Sequence, residues 1–168
     1  MSSILFLCTG NAARSVMAGV ALAHRRPDLS VETAGTLTVD GMPISWRTRA
    51  ALDDVGLPWP KHASRQAGRA ELHTADLVVA LAPEHVQWVR REHPGVSART
   101  ATLIRLTTDL APPTATAPLS QRVDALGLES VDLGSWEEVV DPGGGEVETF
   151  VECARIVVAL VDRLAELL

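Results

Sequence analysis

The chain begins on an apolar run, Ile4-Leu5-Phe6-Leu7, that does not alternate with polar residues. Such a run, ending on Cys8, predicts a strand buried on both faces. Val16, Val20 and Ala23 then recur at helical spacing, and Pro27 stops the pattern, so a helix is predicted over 16–26. Residues 29–33 predict a second short strand, closed by Ala34-Gly35-Thr36. Residues 44–55 predict a helix ended by Gly56, with Pro58 just beyond. Residues 69–74 hold one or two helical turns. Asp-Leu-Val-Val-Ala-Leu-Ala at 76–82 is the strongest internal strand, and Pro83 suits the first position of a helix running to His93. A fourth strand is predicted at 100–104, an exposed Pro/Thr/Ala-rich loop at 110–118 and a further helix at 120–128. Gly143-Gly144-Gly145 breaks the chain. Beyond it Val147, Phe150, Val151, Ala154, Val158, Val161 and Leu164 form one apolar stripe, which predicts a long closing helix over 146–168.

Strands alternating with helices predict an α/β domain: doubly wound, with a four-stranded parallel sheet and helices on both faces. In such folds ligands sit beyond the carboxyl ends of the strands, and Cys8 ends the first one. The length of 168 residues fits one domain, 1–168, with a substantial core. The balance of 46 % apolar and 21 % charged residues is that of a soluble globular protein. A net charge of −6 argues against a nucleic-acid partner or an acidic membrane surface, so any anion must be held by a local site. Four apolar residues without a basic run before them make neither a signal peptide nor a membrane span. Two cysteines, Cys8 and Cys153, make no disulfide framework, and a reducing, cytoplasmic location is expected.

The chemistry concentrates after the first strand, in Cys8-Thr9-Gly10-Asn11-Ala12-Ala13-Arg14-Ser15. A loop running into a helix N-terminus offers backbone amides and a positive dipole end to a phosphate-like anion. Gly10 permits a backbone shape that a Cβ would resist. Small Ala12 and Ala13 let the loop close. Arg14 adds a planar two-donor fork that matches two phosphate oxygens. The same field favours a thiolate on Cys8, a ready nucleophile. Ser15 is placed to hydrogen-bond that sulfur, and Asn11 to brace the loop through backbone contacts. A departing oxygen needs a proton donor, and Asp141, fixed by Pro142 and followed by three glycines, is the best candidate. Asp109 and Asp132 are weaker rivals. Cys153 reads as core, and the four tryptophans as core or edge packing, with Trp46 and Trp136 flanking two candidate rim loops. His24, His73, His85 and His93 show no ligand spacing, so no metal site is read.

The octet at 8–15 together with Asp141-Pro142 resembles the low-molecular-weight protein tyrosine phosphatases. Thr33-Ala34-Gly35-Thr36 is similar to their Ser-Ala-Gly-Thr segment, and His62-Ala63-Ser64-Arg65-Gln66 to their His-x-x-Arg-Gln segment. The resemblance implies Cys8 as nucleophile, Arg14 as phosphate clamp and Asp141 as acid. It implies Thr9, Gly10, Asn11, Ala12, Ala13 and Ser15 around the substrate phosphate, and Asn11, Ser15 and His62 in the supporting hydrogen-bond network. It implies a hydrolase without cofactor. Its partners would be a phosphorylated protein or a small phosphomonoester, with phosphate or other oxyanions as inhibitors, and the chain a monomer or weak dimer.

The departures sharpen this picture. Ala13 stands where the family often has a second cysteine, which removes a disulfide guard next to Cys8. Gly143 follows Asp141-Pro142 where the family usually has an aromatic residue, and Thr36–Met42 contains none either, so an aromatic-poor slot is expected. The leading expectation is a phosphomonoester hydrolase, acting on protein phosphotyrosine through a phosphocysteine. The alternatives are a phosphoarginine phosphatase and an arsenate reductase using an external low-molecular-weight thiol. A phosphocarrier or a non-catalytic phosphate-binding module would not need Arg14 at this spacing or a late Asp-Pro.

Overall fold

In the first strand, β1 (Ser3–Cys8), Ile4, Phe6 and Cys8 pack on one face while Leu5 and Leu7 pack on the other. An unbroken apolar run is the result, because neither face meets water. The computed structural model describes residues 1–114 and 116–168. It pairs β1 in parallel with β2 (Ser30–Gly35) on one side and β3 (Leu77–Ala80) on the other, and β4 (Thr100–Thr102) extends the sheet beyond β3. The strand order is β2-β1-β3-β4. The chain leaves β1 toward one edge and returns to the opposite side for β3, so the switch point lies at the end of β1.

Helices cover both faces. α1 (Arg14–Arg25), α2 (Trp46–Asp54), α5 (Leu103–Asp109) and α7 (Val147–Leu167) bury the side that carries Phe6 and Cys8. α3 (Arg69–Thr74) and α4 (Pro83–Glu92) cover Leu5 and Leu7. A short α6 (Leu119–Asp124) adds Val123 to the larger core. None of these helices is long and apolar enough to cross a membrane.

The predicted boundaries shift where local chemistry intervenes. α1 starts two residues earlier than its apolar repeat, at Arg14, because the loop amides run straight into the helix. α2 starts two residues late, since Ser45 caps it by accepting from the Thr48 amide. The strand expected at 100–104 stops at Thr102, whose hydroxyl accepts from the Arg105 amide and opens α5 instead. The helix expected to reach Leu128 ends at Asp124. In the expected exposed loop at 110–118, Leu110 is buried in the larger core, residues 111–114 are exposed, and Ala115 lies outside the described residues. The closing helix buries Phe150, Cys153, Ala154, Val157, Val161, Leu164 and Leu167. Val147, Val151 and Val158, expected in that stripe, lie at its flank and are only partly buried.

Candidate active site

Cys8 ends β1 almost fully enclosed, and its Sγ lies 3.0 Å from Ser15 Oγ on the first turn of α1. Asn11 Nδ2 donates to that same hydroxyl oxygen at 3.0 Å. Ser15 Oγ thus meets both Cys8 Sγ and Asn11 Nδ2, which fixes the sulfur against the first turn of α1. α1 has no side-chain cap at Ala13 and no acidic residue in its first turn, so its amino end is left to the loop.

The loop's shape is set from outside. Asn11 carries the positive φ, 50°, and is the one non-glycine residue with such a φ among the described residues. Gly10, expected to supply the special backbone, has no positive φ and has open space where a Cβ would stand. Asparagine tolerates the left-handed region when its bonds are fixed. Here Oδ1 accepts from the Arg65 amide at 3.0 Å, and the carbonyl accepts from His62 Nε2 at 2.7 Å. A carbonyl can only accept, so His62 Nε2 bears the hydrogen. The amides of Thr36 and Leu37 donate to the carbonyls of Cys8 and Thr9, at 2.9 and 3.0 Å. A Cβ on Gly35 would run into the Thr9 carbonyl and the Thr38 methyl group, so this close approach requires glycine. Thr48 Oγ1 donates to the Ala12 carbonyl at 3.2 Å, tying the loop to α2.

Arg14 is buried. Its Nη1 donates to the Val139 carbonyl at 2.9 Å and its Nη2 to Asp141 Oδ2 at 3.0 Å. The other oxygen of Asp141 accepts from the Gly143 amide at 2.9 Å. Cys8, Gly10, Ala12, Ala13, Arg14 and Asp141 line one cavity of about 300 Å³. Ser45, Thr48, Gly143 and Phe150 complete its wall. As expected, neither rim loop brings an aromatic residue to the cavity; Phe150 joins its wall from the first turn of α7. Phe150 was legible only as one member of an apolar stripe.

The segment that leads to Asp141 is anchored by a buried ion pair. Glu137 is fully enclosed, and Arg105 donates to it through Nη2 at 2.7 Å and through Nε at 2.9 Å. Burial pushes its carboxyl upward, but the bonds from Arg105, the Gly134 amide and the Thr102 hydroxyl outweigh this and hold it below the usual carboxylate range. The rival candidates Asp109 and Asp132 belong to this network: Arg105 donates to the Asp109 carboxylate and the Asp132 carbonyl. Neither lines the cavity.

Several sequence candidates stand apart from the cavity. Trp46 and Trp136 are half exposed and carry Arg47 and Arg105 over their rings. Cys153 is buried behind the acid loop, its Sγ 3.9 Å from the Val140 carbonyl. Burial pushes its thiol up to about 11, so it stays protonated at neutral pH. His85, which the sequence showed only as a histidine without ligand spacing, is enclosed beside the loop and contacts Thr9.

Comparison with known proteins agrees with this geometry. The chain matches the family model described as low molecular weight phosphotyrosine protein phosphatase over residues 3–119. A protein-arginine-phosphatase from Geobacillus stearothermophilus is 26 % identical over 97 % of this chain and 93 % of its own length. A low molecular weight protein-tyrosine-phosphatase from Streptomyces coelicolor is 31 % identical over 93 % of this chain and 87 % of its own. The solved structure of the Geobacillus arginine phosphatase superposes with a TM-score of 0.78, covering 99 % of this chain and 92 % of that one. With a parallel sheet whose first strand delivers Cys8 to a loop closed by Arg14, this chain belongs to the low molecular weight phosphotyrosine protein phosphatase family, and is a hydrolase of that kind.

Proposed function

We propose that Cys8, Arg14 and Asp141 hydrolyse phosphorylated protein side chains, phosphotyrosine first, through a phosphocysteine intermediate. The observation that carries this reading is the sharing of one cavity by the Cys8 sulfur, bonded to Ser15, and the Arg14–Asp141 pair. Cys8 thiolate attacks phosphorus in line. Arg14 and the loop amides take the equatorial oxygens. The scissile P–O bond breaks, and Asp141 gives its proton to the departing oxygen. Asp141 then removes a proton from water, which attacks phosphocysteine, and Ser15 stabilises the thiolate that leaves. Phe150 supplies an apolar wall suited to an aryl ring. Two cysteines with no disulfide suit a reducing, cytoplasmic setting.

A second reading, phosphoarginine as substrate, is favoured by the Geobacillus relative, which spans nearly the whole chain and is named an arginine phosphatase. The test is a parallel assay on an aryl phosphate, phosphotyrosine peptides, phosphoarginine peptides and arsenate with added thiol. A burst of phenol before slower phosphate release, lost in Cys8→Ser, is expected. Thiol-dependent arsenate turnover exceeding phosphate release would overturn the hydrolase reading.

A further inference from the structure

Cys8, Ser15, His62 and Asp141 leave one enclosed polar group beside the loop without a task. His85 stands on the first turn of α4 and is 1 % exposed. Its Nε2 lies 2.9 Å from the hydroxyl of Thr9, the residue directly after the nucleophile. Its Nδ1 is buried with no hydrogen-bond partner among the described residues. Buried polar atoms are nearly always paired, so a ring with one orphaned nitrogen is costly to keep. An apolar side chain would fill the same space without that cost, so what distinguishes histidine here is Nε2, whose shorter contact is the one with Thr9, the other being Glu84 Oε1 at 3.4 Å.

The footing of the ring is rigid. Pro83 occupies the first helical position, the His85 amide donates to the Ala82 carbonyl at 3.1 Å, and the Val139 amide donates to the Leu81 carbonyl at 2.9 Å. The segment that carries His85 is thus also bonded to the segment that leads into Asp141. Burial, reinforced by the nearby Arg14 charge and opposed by Asp141, pushes the imidazole down to about 3. A neutral ring can orient a hydroxyl without adding a second cation that would repel Arg14.

We propose that His85 is a positioning residue for the phosphate loop: through Nε2 and the Thr9 hydroxyl it fixes the side chain of Thr9, and with it the peptide that follows Cys8. This rests on the phosphate-site reading above. The loop amides keep their aim at the anion only if that first peptide does not rotate; its own carbonyl, that of Cys8, accepts from the Thr36 amide at 2.9 Å, and the carbonyl of the next peptide, that of Thr9, accepts from the Leu37 amide at 3.0 Å.

The test is a double-mutant cycle in the full-length protein with His85→Ala, Thr9→Val and the pair, plus His85→Gln, whose amide nitrogen can reach the place of Nε2. The readouts are kcat and KM on an aryl phosphate, Tm, and the dissociation constant for inorganic phosphate measured by calorimetry. His85→Ala is expected to weaken phosphate and to lower kcat/KM at least tenfold. His85→Gln should stay within about threefold of the wild type. His85→Ala should add nothing in the Thr9→Val background. Independent, multiplying effects would overturn the proposal, as would a loss of Tm with phosphate affinity unchanged. If His85→Ala does not fold, Thr9→Val and His85→Gln decide: Thr9→Val must weaken phosphate tenfold while His85→Gln does not. A wild type inactive on every substrate would sink the hydrolase reading alone, because the phosphate constants still judge His85.

Discussion

Arg14 Nη2 stands 3.0 Å from Oδ2 of Asp141, so the arginine that lines the cavity also holds the carboxylate at its rim. The two partners are unequal: Arg14 is 3 % exposed and Asp141 is 55 % exposed. An ion pair open to water on one side contributes only about 0–1 kcal/mol. A dianion offering two oxygens to Arg14 competes easily with that. On the mechanism proposed above, Asp141 would then be released toward the leaving group while Arg14, bonded to the Val139 carbonyl, stays in place.

Asp141→Asn should therefore keep phosphate affinity and lose proton transfer. kcat is expected to fall by about 10²–10⁴-fold on a phenyl phosphate with a basic leaving group. The loss should be smaller on an aryl phosphate whose phenol is acidic. Steady-state kinetics on leaving groups of graded pKa checks this, and an equal loss on all of them would remove Asp141 from the acid role.

Phe150 lines the cavity from α7 and is 7 % exposed. Phe150→Leu keeps most of the buried volume and removes the ring. An aromatic contact is worth about 0.5–1.5 kcal/mol beyond area, so KM for an aryl phosphate should rise about 2–10-fold. Inhibition by inorganic phosphate, which has no ring to stack, should not change. A shift in both would mean that Phe150 shapes the loop rather than the slot.

Glu137 ties the acid-bearing segment to Thr102 and Arg105. Glu137→Gln leaves Arg105 without its main partner and should destabilise the fold by about 3–5 kcal/mol near neutral pH. The folded carboxyl lies below its ordinary value of 4.5, so its contribution is complete above that pH and fades as pH falls through the folded value. The gap between wild type and variant should therefore narrow in acid. Chemical denaturation at pH 7 and below pH 4 measures it, and a gap that widens in acid would contradict the pairing.

His85 has the opposite chemistry and the same direction. The unfolded chain takes up a proton at this residue below about 6.5, whereas the folded protein does so only near 3. The unfolded state binds more protons between those values, so stability falls as pH falls, by up to about 1.4 kcal/mol per pH unit. His85→Gln should lose less stability than the wild type between pH 6.5 and 4. Parallel pH profiles of denaturation midpoints would show the two curves converging in acid, and parallel curves would mean that the ring titrates normally in the fold.

Much of the site was legible before any fold. Cys8, Arg14 and Ser15 lie on one strand, one loop and one helix start, and their relation is set by short-range geometry. What escaped was of another kind. Gly10 looked like the residue with special backbone, yet Asn11 takes it, because Arg65 and His62 arrive from 54 and 51 positions away to hold its two oxygens. The strand expected through Ile104 ended early because Thr102 caps a helix, a choice that apolar residues alone do not signal.

The sequence by itself determined the parallel α/β plan, the anion loop after the first strand and the residue types that chemistry there requires, because hydrophobic period, caps and a contiguous motif act locally. Only the tertiary structure decided what meets that loop: Asp141 against Arg14 across 127 positions, Phe150 in the cavity wall, His85 on Thr9 and Glu137 under Arg105. Each is a contact between elements far apart in the chain. Whether a phenylalanine faces a slot or a core, and whether a histidine is charged or enclosed and neutral, depends on what packs over it.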